Sequence, residues 1–186
     1  MAGRVVATAR RHGLAGDDAA SLGIAFDRIV RERWPAIGDE HHPDHLHTAR
    51  TALILLDDVG LVDRSALGAA LLFDSLNPAL VPTAERAASI AGADAAGWLG
   101  ALPPAGLDEA ELIERLVTSD ATTLHLALAE RLDHARHLHM RDDVDRAAFH
   151  AGVTRVYLPL ARRAGGPLHA RFDRWATAFR RRHLHR

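Results

Sequence analysis

The stretch Ser65-Ala66-Leu67-Gly68-Ala69-Ala70-Leu71-Leu72-Phe73-Asp74 decides how the chain folds. From Ala66 to Phe73 it is apolar on nearly every side, so it reads as a helix buried all round, with Ser65 as its cap. Such a helix needs other helices on all its faces. Asp74 follows directly, and an ionisable group at the end of a buried helix is costly unless it is paired, hydrogen-bonded or bound to a metal.

The same period extends in both directions, with apolar residues recurring at three- and four-residue spacing and no strand-like alternation. Upstream, a first helix is followed by a second, capped by Asp17 and Asp18, running through Ile24, Phe26, Ile29 and Val30 and stopping near Trp34-Pro35. A polar loop from Gly38 to Pro43 leads into a helix from Asp44 to Asp58, closed by Gly60 as a left-handed cap. Downstream come a loop from Ser75 to Pro82, a helix from Ala84 to Leu102 and the turn Leu102-Pro103-Pro104-Ala105-Gly106. Helices from Asp108 to Val117 and from Asp120 to Leu138 follow, the latter with the apolar stripe Leu124, Leu128, Leu132 and Ala135. Two last helices, Val144 to Ala164, bent by Pro159, and Leu168 onward, are parted by Gly165-Gly166-Pro167. The expected fold is all-α, a globular helical bundle in one domain over residues 1-186.

Composition excludes several kinds of chemistry. The absence of cysteine removes disulfides, thiolate metal sites and thiol nucleophiles. Every basic residue other than histidine is arginine, so neither a P-loop lysine nor a Schiff-base lysine exists. A net charge of -1 argues against extended nucleic-acid binding, and the basic tail Arg180, Arg181, Arg182, His183, His185 and Arg186 reads as a solvated helix end. No segment reaches the ~20 apolar residues of a membrane span, and no targeting segment is evident, so a cytoplasmic protein is expected.

Thirteen histidines remain as the unusual feature. His41, His42, Asp44, His45 and His47 lie just before the buried helix, and Glu130, His134 and His137 share one side of a later one. One His, one Asp and one acidic residue from different helices of a bundle suit a divalent cation, because imidazole and carboxylate are its ligands. The bland alternative has Asp74 hydrogen-bonded to backbone, Glu130 paired with Arg131 or Arg136, and the histidines solvated.

Three ordered blocks resemble the HD domain of RelA/SpoT-type alarmone ((p)ppGpp) hydrolases. The first carries Pro43, His47, Ala52, Ile54, Leu55, Gly60, Ala69, Ala70, Leu71, Leu72, Phe73 and Asp74 against the family's P-Y-I-x-H, A-x-I-L, Gly and A-A-L-L-H-D. The second carries Ser119, Asp120, Leu126, Leu128, Ala129, Glu130, Arg131, Leu132, Asp133, His134 and Arg136, and the third Tyr157, Pro159, Leu160, Ala161, Arg163 and Gly165. The resemblance implies a metal site in which His47 and Asp74 keep their places, Glu130 replaces an aspartate and Phe73 stands where a second histidine belongs. It also implies that a water-activating acidic pair has become Asn77-Pro78, and that substrate-gripping basic residues are missing from the segment between Arg33 and His42.

Two outcomes stay open. In one, the domain is no longer an alarmone hydrolase, and keeps a nucleotide or small-molecule pocket, or a partner surface, with a manganese-like cation held weakly or not at all. In the other, a phosphohydrolase has been rewired: His47, Asp74 and Glu130 hold the cation, and His134 or a histidine of the His41 to His45 loop supplies the missing nitrogen. A metal-free variant has His47, Asp74 and Glu130 in acid–base roles. Phe73, Asn77, Arg131 and Arg136 are expected to line the pocket, Phe73 in the place of the usual second ligand.

Overall fold

A computed structural model describes residues 1–38, 42–140 and 144–184, except for the side chains of residues 43 and 139. Its elements are helices joined by turns, with no strand among the described residues. The helices are α1 (Ala2–Arg11), α2 (Gly16–Ile37), α3 (His47–Ile54), α4 (Arg64–Ala70), α5 (Ala84–Ala91) and α6 (Ala93–Ala101). They continue with α7 (Glu109–Thr118), α8 (Ala121–His137), α9 (Arg146–Gly152), α10 (Leu158–Ala164) and α11 (Gly166–Phe179).

The apolar helix α4 lies at the centre as its composition requires, packed on α2, α3, α5, α6 and α8. Leu67, Leu71 and Leu72 lose all their solvent exposure there, together with Leu55, Leu56, Leu128 and Leu132 from neighbouring elements. Each such side chain contributes about 1.5–3 kcal/mol relative to exposure. Gly68 allows a close approach of α4 to α5 and α6: a Cβ there would stand 3.1 Å from Ala95 Cβ and 3.2 Å from Ala91 Cβ. The stripe of α8 faces the core, with α3 across it. No described helix is long and apolar enough to cross a membrane.

Several boundaries differ from expectation. Ala15 occupies the N-cap of α2, and Asp17 and Asp18 lie inside its first turn, where their charge meets the positive end of the helix dipole. The same helix passes through Pro35 and ends on Gly38 at φ 66°, since a proline in the last turn removes few helical bonds. Asp63, not Ser65, caps α4, its Oδ1 accepting from Ala66 N at 2.7 Å. The helix expected from Asp44 to Asp58 begins as a 3₁₀ turn, Pro43–Leu46, and finishes as a π turn, Leu55–Val59, before Gly60 at φ 71° makes the expected left-handed cap.

The run from Ala84 to Leu102 is two helices, because Gly92 at φ 98° turns the chain between them. A π turn, Val153–Tyr157, interrupts the segment from Val144 to Ala164 and leaves Pro159 in the first turn of α10, where its missing N–H costs least. Only Gly165 parts α10 from α11, which starts at Gly166 with Pro167 in its first turn. Arg180, Arg181 and Arg182 are exposed as expected, while His185 and Arg186 lie outside the described residues.

Candidate metal centre

Three parts of the bundle converge on one buried point. His47 is the first residue of α3, Asp74 sits just beyond the end of α4, and Glu130 and His134 occupy adjacent turns of α8. All four are almost wholly buried, and one ligand atom from each lies within 4.8 Å of the others, so the group can hold a metal ion. His134 Nε2 is 3.0 Å from Glu130 Oε1 and 3.2 Å from Asp74 Oδ1. His47 Nε2 is 3.8 Å from Glu130 Oε1. The two imidazoles stack with centroids 3.8 Å apart and planes 19° from parallel.

His47 carries the most telling feature. Its Nδ1 is 2.8 Å from Asp133 Oδ2, and a carboxylate there accepts the Nδ1–H proton. That leaves a lone pair on Nε2, which is buried and has no hydrogen-bond partner. Asp133 is itself held by Arg50, through Nε at 2.8 Å and Nη2 at 2.9 Å. A carboxylate behind a histidine in this way fixes the tautomer and the ring direction that a metal requires.

The acidic members are braced from outside. Asp74 Oδ1 accepts from the backbone N–H of Asn77 at 3.0 Å and of Leu76 at 3.2 Å, as the end of a chain turn permits. Glu130 Oε1 accepts from Ser75 N at 2.8 Å and Ser75 Oγ at 2.7 Å, and Ser75 Oγ accepts in turn from Arg131 Nη2 at 2.9 Å. Arg33 is buried behind Asp74, donating from Nη2 to Leu72 O at 2.7 Å with Nη1 3.9 Å from Asp74 Oδ2.

The electrostatics follow from this crowding. Burial lowers the basicity of His134, but Glu130 and Asp74 outweigh it and raise its pKa to about 9. Burial and the neighbouring His134 push His47 down. Burial raises Glu130, yet His134, Arg131 and His47 bring it down to about 2. Asp74 and Asp133 are likewise held below the ordinary carboxylate range, against the effect of burial, by the histidines and arginines around them.

His47, Asp74, Glu130 and His134, singled out from the sequence, therefore meet in one place. The loop histidines do not join them: His42 Nδ1 accepts from Asp44 N at 3.2 Å, and His45 lies edge-on to Trp34. His41 lies outside the described residues. His137, one turn beyond His134, turns to Asp133 O at 2.9 Å. Of the two bland readings of the acids one is met, since Asp74 does bond backbone, while Glu130 bonds Ser75 and not Arg131 or Arg136.

Of the expected pocket residues, Phe73 and Arg131 line a cavity of about 120 Å³ with Ser75, Leu116, Glu130 and Tyr157. A second cavity of about 370 Å³ shares Phe73 and Ser75, reaches Asp74, and has the Pro103–Pro104 turn as a wall. Arg131 stacks over Tyr157 at 4.7 Å and Phe149 at 5.6 Å. Arg136 is a correction: it lines a separate groove with Arg50 and Arg171, because a residue five positions after Arg131 points to another side of a helix. Asn77 is a second: its amide is drawn to Asp44 Oδ2 at 2.8 Å and to Asp74 at 3.2 Å, and it braces the centre where a cavity wall was expected.

Sequence reasoning missed Asp133, Ser75 and Arg33 as parts of the site. Asp133 carried a usable signal, lying three residues after Glu130 and hence on a neighbouring face of the helix. No family model matches the chain, and no curated protein or solved structure matches it.

Proposed function

We propose that this chain is a rewired HD-type domain whose His47, Asp74, Glu130 and His134 hold one divalent, manganese-like cation for work on a small phosphate ester, and that it is not an alarmone hydrolase. The reading rests on one observation above the rest, the buried Nε2 of His47 without a partner among three other potential ligands. Two carboxylates and two neutral imidazoles balance a divalent charge, which makes a buried cation affordable, and mixed nitrogen and oxygen donors suit manganese, iron or zinc. His134 takes the part that the resemblance gives to the residue at Phe73.

When bound, such a cation supplies Lewis acidity, lowering the pKa of water and polarising a phosphoryl oxygen. The chain's own residues set the rest. Asp133 and Arg50 hold His47 in one tautomer, and Ser75 holds Glu130. Arg131, beside Glu130 at the cavity, offers a guanidinium to an anionic group, while Phe73 and Leu116 give an apolar wall that excludes water. Few cations line this cavity, which suits a lightly charged ester better than a polyphosphorylated nucleotide.

A second reading, in which the domain binds its ligand and does no chemistry, is favoured by Asn77. Its amide donates to Asp74 and Asp44 where the resembled family carries acids that activate water. Elemental analysis of untagged protein, followed by assay on a simple aryl phosphate and on an alarmone, separates the readings. Stoichiometric metal with aryl phosphate turnover supports the hydrolase. Metal without turnover supports the binding domain, and protein that takes up no divalent cation removes the hydrolase reading.

A further inference from the structure

We infer that the groove between α1, α3, α8 and α11 is a second ligand site, built for a phosphate-type oxyanion. It is a cavity of about 220 Å³ into which four arginines face from four helices: Arg4, Arg50, Arg136 and Arg171. Three aspartates share it, and each already holds a cation. Asp57 is paired with Arg11 at 2.8 Å and with His12 at 3.1 Å, Asp58 with Arg171, and Asp133 with Arg50 at 2.8 Å.

The groove therefore carries an excess of positive charge. Among the described residues neither Arg4 nor Arg136 has a hydrogen-bonded or ion-paired partner, although Arg136 is half-buried on α8. Arg136 is repelled by Arg171 and Arg174 of α11 and attracted by Asp58 and Asp133, and burial with the repulsion outweighs the attraction. A half-buried guanidinium that makes no direct ion pair of its own is under-compensated, and an anion that bridges it to its neighbours removes that cost. Guanidinium forks arriving from several directions suit an ion with oxygens on all sides, so a tetrahedral phosphate fits better than a planar carboxylate. The volume takes one phosphoryl group with a small organic portion, and the ligand is free phosphate or a small phosphate monoester.

This site is distinct from the cavity of Arg131, which opens on another side of α8. The test uses metal-free protein carrying R131Q, so that neither a cation nor that cavity recruits the probe. Calorimetric titration with inorganic phosphate and with glycerol phosphate should each show saturable binding of one ion per chain, and the tighter of the two names the natural form. R136Q in this background should weaken it at least about tenfold, the worth of one charge-assisted pair. R4Q, an exposed change on α1 that cannot disturb folding through the core, should weaken it several-fold. Absence of saturable binding, or binding that survives both R136Q and R4Q, overturns the inference whatever the metal centre does.

Discussion

Asp133 accepts from His47 Nδ1 at 2.8 Å across 86 residues of sequence, and by doing so points the other nitrogen of that ring at Glu130. Asp133→Asn keeps the shape and removes the charge that favours the Nδ1–H tautomer. Loss of such a partner costs ~10–100-fold in metal affinity. Competition of a fluorescent chelator against the variant for manganese reads this directly. An unchanged affinity would show that Asp133 serves only Arg50.

The two histidines at the end of α8 separate ligand from neighbour. His134→Ala should lose more affinity for a manganese-like ion than the ~10–100-fold expected for an outer partner. His137→Ala should lose less, since its ring stands outside the cluster and touches it only through Asp133, with Nδ1 2.9 Å from the backbone O and 3.4 Å from Oδ1. The reverse order, measured by the same competition, would move the centre along the helix.

A pH titration of the metal-free protein has a defined sign. His134 has a folded pKa of about 9 against an ordinary 6.5, so its contribution to stability is fully present below pH 6.5 and is lost as pH rises through 9. At the acid end Glu130, held at about 2 against 4.5, contributes above 4.5 and loses that contribution as pH falls through 2. Urea midpoints should decline between neutral pH and pH 9.5. Added cation should abolish that decline and release about one proton on binding below pH 9, because an imidazole must be deprotonated to act as a ligand. A midpoint flat from pH 6 to pH 10 without metal would contradict the assignment.

Gly68→Ala probes the packing that places Asp74. The new Cβ would meet Ala95 Cβ at 3.1 Å and Ala91 Cβ at 3.2 Å, both fixed to helix backbone and unable to turn aside. The gain in helix propensity, roughly 1 kcal/mol, should be exceeded by overpacking of about 1–3 kcal/mol. The melting temperature should fall, and cation affinity should fall with it, because α4 carries the turn that presents Asp74. A more stable variant would mean that the crossing of α4 with α5 and α6 is looser than it looks.

The helical period was readable along nearly all of the chain, and so were His47, Asp74, Glu130 and His134, because helix spacing and block order are local properties of a sequence. What failed was direction in space. Arg131 and Arg136 look equivalent in a basic run, yet five residues turn a helix by roughly 140° and send them to different cavities. Asn77 lies in a loop whose amide is steered by Asp44, 33 residues away. Gly92 sits in an alanine-rich run whose helical period continues through it, and only its φ of 98° shows that the chain turns there.

The burial of four ionisable side chains at one point reaches beyond the chemistry they can do. A cation that binds only the folded chain raises the folded population in proportion to its free concentration over its dissociation constant. Proteases that cut transiently opened chains follow that population. If the cluster holds such a cation, the lifetime of this protein in a cell should track the supply of that ion, lengthening when it is plentiful and shortening under starvation. Pulse-chase turnover of the unmodified chain and of His134→Ala, with and without manganese in the medium, would show whether abundance itself carries the signal.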